Sequence, residues 1–151
     1  NSHTSKGHRS CFRQADSLFV IDATLKRGVA RRPIGRTFAR RMPVGVYRLA
    51  EAFDTAAVIG RARALVGRPY DARFLPGTEA LYCSELVQAC YTDSLGRPLF
   101  PSAPMNFLAP DGSLPPYWER HFRELGMKVP QGVPGTNPTD LAASPLLKRV
   151  W

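Results

Sequence analysis

Six of the chain's 14 prolines fall in one stretch, RPLFPSAPMNFLAPDGSLPP, residues 97 to 116. Each proline fixes its own φ and lacks the N–H that a helix or a sheet ladder needs. That stretch is therefore expected to be mostly irregular, and no long helix can cross it. The tail VPQGVPGTNPTDLAASPLLKRVW, residues 129 to 151, is also turn-rich and is expected to wrap the surface. Regular structure must come in short pieces around one core, which 151 residues can bury as a single domain, 1–151.

HRSCFR (8–13) and LFVIDAT (18–24) flank the polar QADS, a pattern that predicts a β-hairpin. With Gln14, Ala15 and Asp16 in the loop, Arg13 faces Ser17 and His8 faces Asp22. LKRGVARRPIGRTFARR (25–41) carries seven basic and no acidic residues, and Pro33 and Gly35 leave room only for a short helix from Ile34 to Arg41. VGVYRLA (44–50) alternates as a strand does. Asp54 or Thr55 caps a helix to about Val66, with Val58, Ala62 and Leu65 on one face and Gly67 at its end. GRPYDARFLPGTEA (67–80) reads as a loop. A helix over 83–94 is stopped by DSLG, and YWERHFRELG (117–126) forms a compact helix. This mixed order predicts the α+β class.

Hydrophobic residues at 44% and charged residues at 22% suit a globular protein, and no apolar run approaches the ~20 residues of a membrane span. No signal peptide is visible. The opening NSHTSKGH reads as the middle of a longer chain, a processed or truncated product. The net charge of +9 favours an anionic partner: nucleic acid, acidic lipid headgroups or a cell-wall polymer. The cluster Lys26, Arg27, Arg31, Arg32, Arg36, Arg40 and Arg41 is either a solvated face or an anion-binding one. It lacks interleaved aromatics beyond Phe38, which disfavours nucleic acid.

Cys11, Cys83 and Cys90 are an odd number and show no CxxC or Cys/His zinc spacing, so neither a disulfide scaffold nor a metal site is expected. On one helix Cys83 and Cys90 lie about 10 Å apart along the axis, too far to bridge. Cys83, Leu86, Val87, Cys90 and Tyr91 form one stripe, so both cysteines can be read as small core residues. Cys83 differs in falling in the first turn. There the helix dipole and the unpaired N–H groups stabilise a thiolate and can receive an oxyanion. A nucleophile so placed needs a base, usually a histidine held by a third polar group.

His121 lies among charged neighbours and is read as solvated. His8, across the expected hairpin from Asp22, is the better candidate base. Asp22, an acid inside an apolar strand, is either solvent-facing or the group that orients the imidazole. His3 reaches Asp22 only if the turn shifts into CFRQ.

GRPYDARF followed by YCSELV resembles the YiiX-like branch of the NlpC/P60 superfamily, circularly permuted papain-like cysteine hydrolases. PLFPSAPMNFLAP and PGTNPTDLAASPLL look like the same branch, so the resemblance covers roughly residues 8 to 146. It implies an antiparallel sheet packed against the helix that carries the nucleophile, with the histidine strand preceding the cysteine. It also implies Cys83 as nucleophile, His8 as general base and Asp22 in the third polar place, where relatives often carry Glu. Tyr70 then lines the cleft near the thiol. Asp71 is read as a loop or cap hydrogen-bonder, and Glu85 as a first-turn acid that complements the dipole. The family histidine usually sits in Ser-His-Val-Gly-Ile, whereas His8 is in GHRSCFR; Ser2-His3 makes His3 the alternative base. Relatives begin with a Gly-Asp strand that this chain lacks, so an N-terminal strand is expected to be missing or truncated.

Two function classes follow. One is an enzyme that cleaves an amide or ester bond through a Cys83 acyl-enzyme, without cofactor or metal, or that passes the acyl group to another acceptor. Its substrate is a cell-wall peptide or a lipid-like acyl amide, and its place the bacterial envelope or the secreted fraction, with the cytoplasm as alternative. The other is an inactive module that holds an anionic polymer or a membrane surface through the basic cluster.

Overall fold

The computed structural model describes residues 18–36, 44–77 and 79–151. The elements run β1 (Phe19–Thr24), β2 (Gly28–Pro33), a 3-10 turn (Ile34–Arg36), β3 (Tyr47–Leu49), α1 (Thr55–Ala64) and α2 (Cys83–Cys90). Then follow β4 (Ala103–Pro104), α3 (Pro116–Glu124), β5 (Pro134–Gly135), α4 (Pro138–Ala142) and β6 (Leu147–Arg149). All described strand pairings are antiparallel: β1 with β2, β3 with β6 and β4 with β5. The class is α+β, as the element order predicts.

The hairpin expected over 8–13 and 18–24 lies half outside the described residues. Its second strand is β1, and the partner seen for β1 is the basic stretch, not a strand read as such from sequence. Asp22 stands opposite Ala30, and Thr24 opposite Gly28. The basic side chains are tolerated because neighbours neutralise or cover them: Arg32 bonds Asp22, and the Arg31 guanidinium lies 3.4 Å over the Phe19 ring. Gly28 has φ +64, and its Cα approaches the Arg68 carbonyl so closely that any Cβ would strike it. That approach lets Val29 N–H donate to Arg68 and Gly67 N–H donate to Val29, tying β2 to the end of α1. Only Ile34–Arg36 of the short helix expected up to Arg41 is described, as a 3-10 turn.

Helix α1 begins where the sequence placed it. The Asp54 carboxylate accepts the Ala57 N–H at 2.9 Å, and Val58, Ala62 and Leu65 pack on the core. Gly67, φ +96, lets the chain leave. Asp54→Ala should cost about 1 kcal/mol, read from urea denaturation; an unchanged midpoint would mean the cap is redundant.

Helix α2 stops at Cys90, four residues short of expectation. Tyr91 turns extended (ψ 90), and the Asp93 carboxylate gathers the N–H groups of Leu95 and Arg97 into a turn. The Cys90 carbonyl at its end accepts Arg61 Nε at 2.6 Å, a cation where the helix dipole is negative. The tail does more than wrap the surface. Its β6 completes a sheet with β3, Leu49 opposite Leu147, and its β5 pairs with β4.

The core has two parts. Ala23 and Val29 of the hairpin meet Leu81, Leu86 and Cys90, with Ile21, Val58, Ala62 and Tyr70 around them. Met105, Phe107 and Phe122 form the second part, closed by Phe74, Trp118 and Met127. The antiparallel ribbon thus packs directly on the helix that Cys83 opens.

Candidate active site

Five residues, Leu81 to Glu85, enter α2 as LYCSE. Four of them are buried, with Leu81 1%, Tyr82 3%, Ser84 3% and Glu85 8% exposed. Cys83 alone is exposed, as a free thiol. The stripe on which both cysteines could be read as core residues splits: Leu86 and Cys90 are buried, whereas Cys83 and Val87 are exposed. Burial pushes the Cys90 thiol up, which keeps it protonated and inert. Cys83 is the first residue of the helix, and its N-cap Tyr82 contributes no side-chain bond to the first turn. The N–H groups of that turn keep their positive end of the dipole beside the sulfur.

Cys83 opens onto a cleft of about 700 Å³ between β1, α1 and α2. Ile21, Val58, Ile59, Leu86 and Val87 make its walls largely apolar, and Arg31 and Arg63 bring charge. Asp22 belongs to the same wall, so the structure brings Asp22 and Cys83 to one cavity. The Asp22 carboxylate is already held by Arg32, which donates Nε to Oδ1 at 3.0 Å and Nη2 to Oδ2. Arg32 is the diagonal cross-strand neighbour of Asp22, the spacing at which a long side chain reaches. A carboxylate has about four acceptor positions, so this pair leaves room for a further donor.

His3 and His8 lie outside the described residues. His121, read from sequence as solvated, is half-buried in an aromatic cluster. Its Nε2 lies 2.7 Å from the Ala72 carbonyl and donates to it, with Nδ1 then unprotonated in the neutral ring. Tyr117 stacks on it at 6.0 Å, and Trp118, Phe122 and Phe74 meet it at steeper angles. It is not part of the cleft wall beside Cys83.

Tyr70 does not line the 700 Å³ cleft; it lines a neighbouring depression with Asp71, Glu79 and Leu125. It still feels the thiol: burial first, then the Cys83 charge and that of Tyr117, push its pKa up to about 12. Tyr70 is thus a neutral phenol, able to donate. Asp71 orders the loop after it, accepting the N–H groups of Arg73 and Leu75, each at 2.8 Å.

Glu85, expected as a first-turn acid that complements the dipole, does lie in the first turn and is buried there. Burial raises its pKa to about 7, against the lowering effect of the Tyr82 and Gly77 backbone N–H groups. Oε2 has no partner among the described residues. Ser84 before it and Leu86 after it are buried too; the sequence signal was only that one acid sat in an apolar helix.

Among the described residues no group of three or more His, Cys, Asp or Glu could hold a metal, and no helix is long and apolar enough to cross a membrane.

The comparisons fit this geometry. A family model described as permuted papain-like amidase enzyme, YaeF/YiiX, C92 family, matches residues 3–151. Among solved structures, the crystal structure of the metalloprotein yiiX from Escherichia coli O157:H7 superposes with a TM-score of 0.71. It shares 20% identity, over 88% of this chain and 74% of that one, which shows a common fold. No curated protein matches the chain. An α+β chain with its ribbon ahead of the cysteine helix, matched by that family along almost its whole length, belongs to the permuted papain-like amidases of the YaeF/YiiX, C92 family.

Proposed function

We propose that the protein is a cysteine hydrolase that cleaves an amide or ester bond through a Cys83 acyl-enzyme, and that an apolar acyl chain occupies the cleft. One observation carries this reading: the only exposed residue of LYCSE is the thiol, at a helix N-terminus, at the mouth of an apolar cavity. A side chain serving only as filler would be buried with its neighbours.

An imidazole from the N-terminal segment, His8 or alternatively His3, takes the thiol proton as the sulfur adds to the carbonyl carbon. The first-turn N–H groups and the neutral Tyr70 phenol receive the oxyanion. The imidazolium then protonates the leaving amine or alcohol, the C–N or C–O bond breaks, and a thioester remains. Water, deprotonated by the same imidazole, attacks the thioester; the acid leaves and the thiol regains its proton. Asp22, fixed by Arg32, is the carboxylate that orients the imidazole. Acyl transfer follows if an amine or alcohol replaces that water.

The apolar walls favour a long-chain acyl amide over a cell-wall peptide, whose charged groups would lose hydration there. The basic cluster supports docking at an anionic surface, such as a membrane. Its Arg32 is ion-paired and its Arg31 covers Phe19, so the cluster alone gives weaker support to a module that only binds.

The test is acid-quenched intact-mass analysis after incubation with a long-chain acyl amide in micelles and, separately, with muropeptides. An adduct with the mass of the fatty acyl group, mapped to Cys83 and lost in Cys83→Ala, is the expected result. An adduct from muropeptides alone would move the substrate to the cell wall. Product release that persists in Cys83→Ala would overturn the mechanism. Of His8→Ala and His3→Ala, the variant that lowers release by about a hundredfold or more marks the base.

A further inference from the structure

Cys83 is flanked by two side chains that grip one residue far along the chain. The Ser84 hydroxyl donates to the Thr136 carbonyl at 3.0 Å, and the Thr136 N–H donates to the Tyr82 phenol oxygen at 3.0 Å. All three residues are buried, each at most 5% exposed. Water therefore cannot substitute for either bond. Both polar groups of one peptide residue are held by the residues immediately before and after the thiol.

The grip is built for close contact. Gly135 packs so tightly that a Cβ there would stand 2.8 Å from the Tyr82 oxygen and 2.7 Å from Met105 Cγ. Thr136 is itself anchored on both sides. Before it, β5 pairs with β4, and Met105 N–H donates to Val133 at 2.9 Å while Gly132 N–H donates to Met105 at 2.8 Å. After it, Asn137 caps α4 by accepting the Asp140 N–H at 2.9 Å. The phenol of Tyr82 is also packed from the side by Phe74, ring centroids 5.2 Å apart.

We propose that Tyr82 and Ser84 are positioning residues: by clamping the first turn of α2 to the backbone of Thr136, they set the direction in which the Cys83 sulfur faces the cleft. This rests on the reading of Cys83 as the nucleophile. Core packing through Leu81, Leu86 and Cys90 holds the helix against the ribbon, but apolar burial is non-directional. One hydrogen bond on each side of the thiol adds a directional constraint at the first turn. A thiolate depends on alignment with a general base and with the helix dipole, so the clamp acts on reactivity, not on substrate contact.

The experiment is alkylation of the intact protein by iodoacetamide across pH 5 to 9, read by peptide mass spectrometry at Cys83 and Cys90 separately. In the parent protein Cys83 labels much faster than Cys90. In Tyr82→Phe and Ser84→Ala the neutral-pH rate at Cys83 falls about tenfold and the midpoint of its pH profile rises by about one unit, with Cys90 still slow. Ser84→Thr, which retains the hydroxyl, restores rate and midpoint. If both variants keep the parent's rate and midpoint, the clamp has no positioning role. A rise of Cys90 labelling together with any change at Cys83 also overturns the proposal, because it reports general loosening. Equal sluggishness of Cys83 and Cys90 in the parent sinks instead the nucleophile reading on which the proposal stands. Should Ser84→Ala not fold, Tyr82→Phe, which deletes one oxygen, decides the question by the same two readouts.

Discussion

Phe74→Ala is expected to lower stability by about 3–4 kcal/mol, although Phe74 sits in a loop and is only partly buried. The side chain is the hub of the second core. Its ring meets those of Tyr70, Tyr82, Phe107, Trp118, His121 and Phe122, with centroids 5.2 to 6.4 Å away. Edge-on contacts of this kind add about 0.5–1.5 kcal/mol per pair to the burial of apolar area, though not additively. The backbone at Phe74 has φ 55, the left-handed region that costs a non-glycine residue about 1–2 kcal/mol. That cost persists only because the ring is held by so many partners. The ordering of variants is therefore unusual: Phe74→Gly should be about 1 kcal/mol more stable than Phe74→Ala, because both lose the ring but only glycine relieves the backbone. Urea denaturation measures both, and a thermal midpoint lowered by roughly 6–15 °C is the matching signature for a chain of this size. A loss below about 1 kcal/mol would show that the six rings pack equally well without their centre.

Phe74 also marks where sequence reading stops. Helix α1 was legible because its signals are local: the Asp54 cap, the Val58, Ala62 and Leu65 stripe, and Gly67 at the exit all lie within one short window. The same holds for the placement of Cys83 at the start of α2. GRPYDARFLPGTEA is a loop as its prolines and glycines say, yet nothing in its composition tells that one of its residues is the centre of an aromatic core. Pairing across distance was also hidden. Strand β6 offers only three residues, LKR, and pairs with β3 far earlier in the chain, so neither segment carries enough alternation to identify its partner. Strand β2 was masked by arginines whose partners, Asp22 for Arg32 and the Phe19 ring for Arg31, lie on the other strand. Within the candidate site, exposure of Cys83 beside buried Tyr82 and Ser84 required the tail to be placed, because it is Gly135 and Thr136 that bury them.

Glu85 gives the second large effect, and its sign is opposite to that of an ordinary ion-paired carboxylate. In the folded protein burial holds its pKa at about 7, above the ordinary glutamate value of 4.5. Between those values the native state binds more protons than the unfolded chain, so stability falls as pH rises. The loss begins near the unfolded value and is complete above the folded one, reaching about 3 kcal/mol at about 1.4 kcal/mol per pH unit. Asp71 contributes in the same direction, since its negative charge opposes ionisation of Glu85, whereas the N–H groups of Tyr82 and Gly77 oppose the rise. Glu85→Gln keeps the shape and removes the titration. The difference in unfolding free energy between variant and parent should therefore grow in favour of the variant by about 2–3 kcal/mol from pH 5 to pH 8, measured by urea denaturation at each pH. A constant difference across that range would mean that Glu85 ionises as freely in the fold as outside it. Such a result would also remove burial as the physical reason for an acid within the first turn of α2, where the helix dipole alone would hold the carboxylate charged and below its usual range.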